Sequence, residues 1–253
     1  MTTTTRTVLR LPRLEGAGLR HGFTTVAAGD FSAAALEGQA GRSALARLGE
    51  EVGFDPELLV TAEQVHGDTL AVVHKCERCG PGNRVPHTDG LITAEPWPLL
   101  ITVADCFPVV LYVPAERMVA VVHCGWRGTV AGILPRAVRR LVGESGQGAS
   151  AILAGIGPGI CGRCYAVGDE VVQAAFGAGL GSQVGDAGGR RCFDIAGALR
   201  QQLLDGGLRP ERVESIERCT FEDSTLPSFR RDRTSFRAAA VAVVEAVPPA
   251  ACP

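Results

Sequence analysis

The stretch from Ile101 to Ile133, ITVADCFPVVLYVPAERMVAVVHCGWRGTVAGI, constrains the fold more than any other part of the chain. Two strongly apolar strand-forming runs each end on polar chemistry, one beside Asp105 and Cys106, the other on His123 and Cys124. The second passes directly into Gly-Trp-Arg-Gly. Runs this apolar read as buried strands. A thiol and an imidazole at the tips of such strands can be packing accidents, a metal site, or a nucleophile with its base.

Around this stretch, strand and helix patterns alternate. RHGFTT (20–25) reads as a strand, and residues 32–51 have helical composition with Ser32 as N-cap and breaks at Gly38 and Gly41. Residues 58–74 read as two strands around Gln64-Val65-His66-Gly67, followed by a loop over 75–90. Pro108 interrupts the chain before VVLYV, and Pro135 either kinks a helix over 128–144 or marks an irregular first turn. Further helices are expected at 166–176 and 193–207, the second capped by Asp194 and ended by Gly206-Gly207. A strand is expected over 235–247, and the glycine-rich passage 177–189 reads as a surface loop. The pattern predicts one α/β domain over 7–247 with mixed sheets flanked by helices, and short tails at 1–6 and 248–253.

With 253 residues, the chain can bury enough surface to fold without disulfides or a structural metal. Its nine cysteines are odd in number, and the N-terminus lacks the apolar segment of a secretory signal, so reduced thiols in the cytoplasm are expected. A net charge of −2 without long runs of one sign points to neither nucleic acid nor a membrane surface as partner. No oligomeric state is read from the sequence.

Four polar clusters fall at strand ends or glycine turns: QVHG with His66, ADC with Cys106, VHCGWRG with His123, and GIGPGICGRCY. Either histidine alone is as well explained as a satisfied core residue, and Cys106 alone as a small buried hydrophobe. Together they suggest a shared site. Two imidazoles and one thiolate suit tetrahedral zinc with a fourth position open. Blue copper uses the same trio with an axial methionine, but Met118 lies five residues before His123, on the opposite face of a strand. Five histidines are also too few for a trinuclear copper cluster, so copper polyphenol oxidase chemistry is disfavoured. Cys106 as nucleophile with His123 as base is the competing role.

The motifs HGFTT, QVHG, DGLIT, TVADCFPVVLY, VAVVHCGWRGT, GIGPGICGRCYAVGDEV, FDI, CT and SFRRD, in this order from residue 20 onward, resemble the YfiH-type laccase-domain family. Its members are also described as purine nucleoside phosphorylases. The resemblance implies a single-domain fold related to cytotoxic necrotizing factor catalytic domains, of cysteine-hydrolase type. It implies a zinc site on His66, Cys106 and His123, with copper possible in vitro. It also implies phosphorolysis of adenosine, inosine, guanosine and methylthioadenosine, with adenosine deamination as a second activity. The alternative it carries is an amidase that edits peptidoglycan precursors by removing a wrongly attached amino acid. The chain departs from the family at Arg163-Cys164-Tyr165, where adjacent cysteines are usual, and at RRDRTSFR, where RRDGxTGR is usual.

Phosphorolysis needs an anion held beside the anomeric carbon. The turn carrying Gly125, Arg127 and Gly128 offers backbone N–H groups and a guanidinium fork, and GIGPGI with Gly157 offers a second possible nest. Arg230 and Arg231, in an extended segment, would point to opposite faces, so at most one reaches the site. Asp105 is expected to orient a ligand histidine or to cap a turn. HKCERCG, with His74, Cys76, Cys79 and nearby His87, resembles half a zinc knuckle, and CGRC at 161–164 superficially matches a redox CxxC; both are weaker candidates.

Overall fold

In the computed structural model, which describes residues 6–74 and 83–245, the apolar runs become central strands because both of their faces are covered. The strands begin with β1 (Val8–Leu9), β2 (Arg20–Thr24), β3 (Val60–Ala62), β4 (Leu70–Val72) and β5 (Asn83–Val85). Next come β6 (Gly90–Thr93), β7 (Leu99–Val103), β8 (Phe107–Val113), β9 (Met118–Cys124) and β10 (Leu153–Ile156). β11 (Val184–Asp186), β12 (Arg191–Phe193), β13 (Val213–Ser215) and β14 (Ala238–Val243) complete the set. The helices are α1 (Pro12–Gly16), α2 (Ala33–Glu37), α3 (Gln39–Val52) and α4 (Trp126–Ala131). They continue with α5 (Ile133–Ser145), α6 (Asp169–Gly177), α7 (Ile195–Asp205) and α8 (Phe229–Asp232).

Two six-stranded sheets, ordered β1-β2-β14-β7-β3-β5 and β13-β10-β8-β9-β6-β4, each mix parallel and antiparallel pairs. Alternation along the strands sorts the core. Val110, Tyr112, Val119 and Val121 face the first sheet, meeting Phe23, Leu99, Ile101 and Ala240. Their neighbours Val109, Leu111, Ala120 and Val122 face Leu134, Val138 and Leu141 of α5 and Leu199 and Leu203 of α7. On the far side, Leu100 and Val241 pack against Leu45, Leu48 and Val52 of α3. The result is a single mixed α/β domain of four layers, helix–sheet–sheet–helix. Strands buried on both faces must be apolar at every position, which accounts for the runs that dominate the sequence.

Several local expectations are corrected. Ser32 does cap α2, its hydroxyl accepting from Ala35 N, and Gly38 does divide the helices. Gly41, however, lies inside α3, where a Cβ would collide with the Ala35 carbonyl; it permits close approach rather than a break. Pro108 lies within β8 opposite His123, near the strand start where a missing N–H is tolerated. Gly132, left-handed at φ 80°, makes the break between α4 and α5, and of its two expected roles Pro135 takes the second, in the first turn of α5, where no intrahelical N–H is needed. The passage 177–189 is not wholly loop: β11 pairs with β12 across Gly188 and Gly189, both at positive φ. Arg230 and Arg231 sit in the short helix α8, not in an extended segment. Of the expected tails, only Arg6 lies among the described residues.

Candidate functional site

The site begins with a buried carboxylate. Asp89, immediately before β6, accepts hydrogen bonds from three successive amides of the turn between β3 and β4: Val65 N at 3.2 Å, His66 N at 2.9 Å and Gly67 N at 2.7 Å. The same carboxylate accepts from His123 Nδ1 at 2.8 Å. It therefore holds the His66 turn and the end of β9 in one register. With Nδ1 committed to Asp89, His123 has Nε2 left for Cys106 and the rest of the cluster. His66 has φ 62°, a left-handed conformation uncommon for a non-glycine residue, and the Asp89 contacts hold it there. Asp89 was not singled out from sequence. The only cue was its place before GLIT, shared with any turn aspartate.

Cys106 sits on an equally unusual backbone. Asp105 has φ 79°, and its carboxylate accepts from Thr220 Oγ1 at 2.6 Å, Ser228 Oγ at 2.7 Å and Arg230 N at 2.7 Å. Asp105 therefore orients neither ligand histidine; it anchors the C-terminal segment beneath Cys106. The side-chain donor atoms of His66, Cys106 and His123 all lie within 4.8 Å of one another, and the two imidazoles cross edge to face with centroids 4.8 Å apart. The structure thus brings the three together. His123 is buried, Cys106 half-buried and His66 exposed, so the cluster opens to solvent on the His66 side.

The electrostatics follow from this proximity. Burial would raise the Cys106 thiol, but the charge and hydrogen bond of His123, and then those of His66, outweigh it and bring it to about 6. Burial opposes charge on His123 as well, yet the Cys106 thiolate and the Asp89 carboxylate hold it up at about 9. Cys106 is thereby available as the thiolate, the form that binds metals and attacks carbonyls. The arrangement can serve as a three-ligand cation site or as a Cys–His–Asp nucleophile.

The glycines divide by role. A Cβ on Gly125 would lie 3.1 Å from Cys106 Sγ and 3.3 Å from His66 Cδ2, so this position faces the cluster. A Cβ on Gly128 would press within 2.7 Å of the Gly67 carbonyl, so this glycine lets α4 pack on the His66 turn. Gly157 is packed against Phe23 and Pro108, and its N–H donates to the Pro108 carbonyl at 2.8 Å. Ile160 N donates to the Asp105 carbonyl. The amides of Gly157 and Ile160 are thus committed to the fold, which counts against the expected second anion nest at GIGPGI.

Two cations lie close enough to Tyr165 for their charge to act on it. Arg127 stacks on Trp126, 4.3 Å from the ring centroid, with a 3.7 Å approach to Glu170. Arg230 donates to the Ala166 carbonyl and lies 5.1 Å from the centroid of Tyr165. Arg231 instead knits the 220–226 segment together, donating to the carbonyls of Thr220 and Leu226. Tyr165, also missed from sequence, has its hydroxyl pushed up to about 12 by burial and by the negative charge of Cys106, against the pull of Arg230 and Arg127. Of the knuckle candidates, Cys76 and Cys79 lie outside the described residues, and His87 is exposed, 3.7 Å from Glu63.

The model of the multi-copper polyphenol oxidoreductase laccase family matches residues 32–245. The chain belongs to this family. A relative from Deinococcus radiodurans named purine nucleoside phosphorylase is 36% identical over 89% of this chain and 87% of its own. Purine nucleoside phosphorylase YlmD from Geobacillus stearothermophilus is 36% identical over 74% of this chain and 72% of its own. The crystal structure of YlmD from the same organism superposes with a TM-score of 0.84 at 29% identity, covering 97% of this chain and 98% of that one. Bacillus licheniformis YfiH gives the same TM-score at 26% identity, covering 94% and 97%. These two solved structures thus share the fold of this chain over nearly its whole length. Among the described residues, no helix is long and apolar enough to cross a membrane.

Proposed function

We propose that the chain is a zinc-dependent purine nucleoside phosphorylase acting on adenosine, inosine, guanosine and methylthioadenosine, with adenosine deamination as a second activity. The observation that carries this reading is the convergence of His66, Cys106 and His123 within 4.8 Å, held by Asp89, in a chain whose relatives are named for that activity. The donor set fits zinc. Bonds of about 2.0–2.3 Å in a tetrahedron set ligand atoms roughly 3.4–3.8 Å apart, so modest side-chain rotation closes the cluster and leaves one position open. Copper in a blue-type site is disfavoured because Met118 lies at the far end of β9, roughly 16 Å along the strand from His123. Bound there, zinc would supply Lewis-acid polarisation.

The chain's own groups do the rest. Arg127 and Arg230, whose charges both act on Tyr165, supply positive charge for phosphate. A phosphate oxygen forms the new bond to the anomeric carbon as the bond to the purine breaks, and the departing base takes a proton. Tyr165 retains its proton at neutral pH and is the donor candidate. His123, fixed through Nδ1 by Asp89, keeps Nε2 turned toward the cluster.

The second reading, a cysteine-hydrolase-like amidase on peptidoglycan precursors, is favoured by one observation: Cys106 at about 6 beside His123 at about 9, with Asp89 behind, has the form of a nucleophile, base and orienter. Incubation with adenosine separates the two. Adenine and ribose 1-phosphate formed only when phosphate is present, and lost in Cys106→Ala, support the phosphorylase. Absence of phosphate-dependent adenine, with release of an amino acid from a nucleotide-linked muramyl substrate, supports the amidase instead.

A further inference from the structure

A second group of metal-ligating side chains lies outside the candidate active site. Cys161 and Cys164 sit on the turn after β10, and Cys219 and Glu222 on the turn after β13. The sulfur atoms and a carboxylate oxygen all lie within 4.8 Å of one another. Each turn contributes a pair at the same spacing, Cys-x-x-Cys from one and Cys-x-x-Glu from the other. Paired two-residue spacings on separate turns are the pattern of four-ligand structural zinc sites. We propose that these four residues form a second, structural zinc site.

Three details of the contacts support a cation rather than incidental thiols. Cys161 N donates to Cys219 Sγ at 3.3 Å, an amide-to-sulfur bond that a thiolate accepts far better than a thiol. Cys164 Sγ lies 3.4 Å from Glu222 Oε1, so one carboxylate oxygen reaches the sulfurs although the side chain remains exposed. Arg163 holds the same carboxylate from outside through NH2 at 3.2 Å, as an outer partner that orients a ligand would. Four anionic donors leave no position for substrate, so the role is structural. Thiolates with one carboxylate suit zinc and exclude the all-oxygen preference of magnesium or calcium.

The site has a clear mechanical consequence. A bridge pairs Gly159 with Cys219, and Thr220 N donates to the Gly159 carbonyl, so the two turns already lie side by side. Thr220 Oγ1 and Ile160 N both bond Asp105, the residue that supports Cys106. A cation joining the turns would clamp the platform beneath the first site from a distance. The four residues are positioning residues for Cys106, not catalytic ones. CGRC is then neither a redox pair nor chance.

The test is metal stoichiometry of the full chain purified under reducing conditions. The native protein should carry about two zinc equivalents, Cys106→Ala about one, and Cys164→Ser/Cys219→Ser about one, with cobalt-substituted Cys106→Ala retaining thiolate-to-metal absorption. In the native chain, peptide mapping after thiol alkylation should show Cys161, Cys164 and Cys219 protected until a chelator is added, a readout independent of how the variants fold. A native stoichiometry of one that vanishes in Cys106→Ala overturns the proposal and leaves the first site intact. A stoichiometry of one retained in Cys106→Ala and lost in the double variant does the reverse. Alkylation indifferent to chelator, or a Cys161–Cys164 disulfide in the reduced preparation, also overturns it.

Discussion

At the scale of single residues, the account depends on Asp89. One carboxylate satisfies three amides and an imidazole, so it sets both the His66 turn and the tautomer of His123. Asp89→Asn keeps the shape but replaces one acceptor oxygen with a donor. Zinc affinity, measured by competition with a chromophoric chelator, should fall by roughly 10–100-fold. Stability should fall by about 1–3 kcal/mol in denaturant titration. Unchanged affinity would remove Asp89 from the site. A second residue tests the departure from the family at RRDR. Arg233 adopts φ 55° as the C-cap of α8, where the family's pattern has glycine. Arg233→Gly should stabilise the protein by up to about 1 kcal/mol, because glycine takes this conformation without a Cβ penalty. The contact of the Arg233 guanidinium with the Phe229 ring works against that gain, and a net loss of stability would show that it dominates.

At the scale of elements, the site is made by docking α4 onto the His66 turn. Gly128→Ala places a methyl group against the Gly67 carbonyl, and the turn or the helix must move. The expected cost is about 1–3 kcal/mol, with weaker zinc binding by calorimetry. Wild-type values for both would show that this packing does not position His66. This is also the scale at which legibility divides. His66, Cys106 and His123 could be picked out because each follows a recognisable apolar strand or precedes a glycine turn. Their orienter could not, since Asp89 reaches amides 22–24 residues earlier through tertiary folding alone. Gly132 breaks the helix and Pro135 does not, because an N-terminal helical turn tolerates proline. Cys219 and Glu222 gave no sign of belonging with CGRC, because the bridge uniting them spans segments far apart in the chain.

For the whole molecule, the four layers were foreshadowed by strands apolar at every position, while the pairing order of the two sheets, set by long-range register, was not. One buried group reports on this assembly. His21 is fully buried in β2, where Nε2 accepts from Leu11 N at 2.9 Å and Nδ1 donates to the Leu19 carbonyl. Burial dominates over the Leu19 bond and Glu15, and lowers its pKa below 6.5. The folded state thus binds fewer protons here than the unfolded chain. Its contribution to stability is complete above the unfolded value near 6.5 and is lost as pH falls below it. The melting temperature should drop from pH 7 toward pH 5, and less steeply in His21→Gln. Equal slopes in both proteins would show that His21 does not couple to folding.

The claim on which the rest depends is that one cation is held jointly by His66, Cys106 and His123. Crystals of the zinc-loaded protein, with anomalous differences collected at the zinc edge, test it directly. The account predicts a peak bonded to one imidazole nitrogen from each histidine and to Cys106 Sγ, at about 2.0–2.3 Å. A map in which these three side chains carry no peak, while zinc is found elsewhere on the chain, would contradict it.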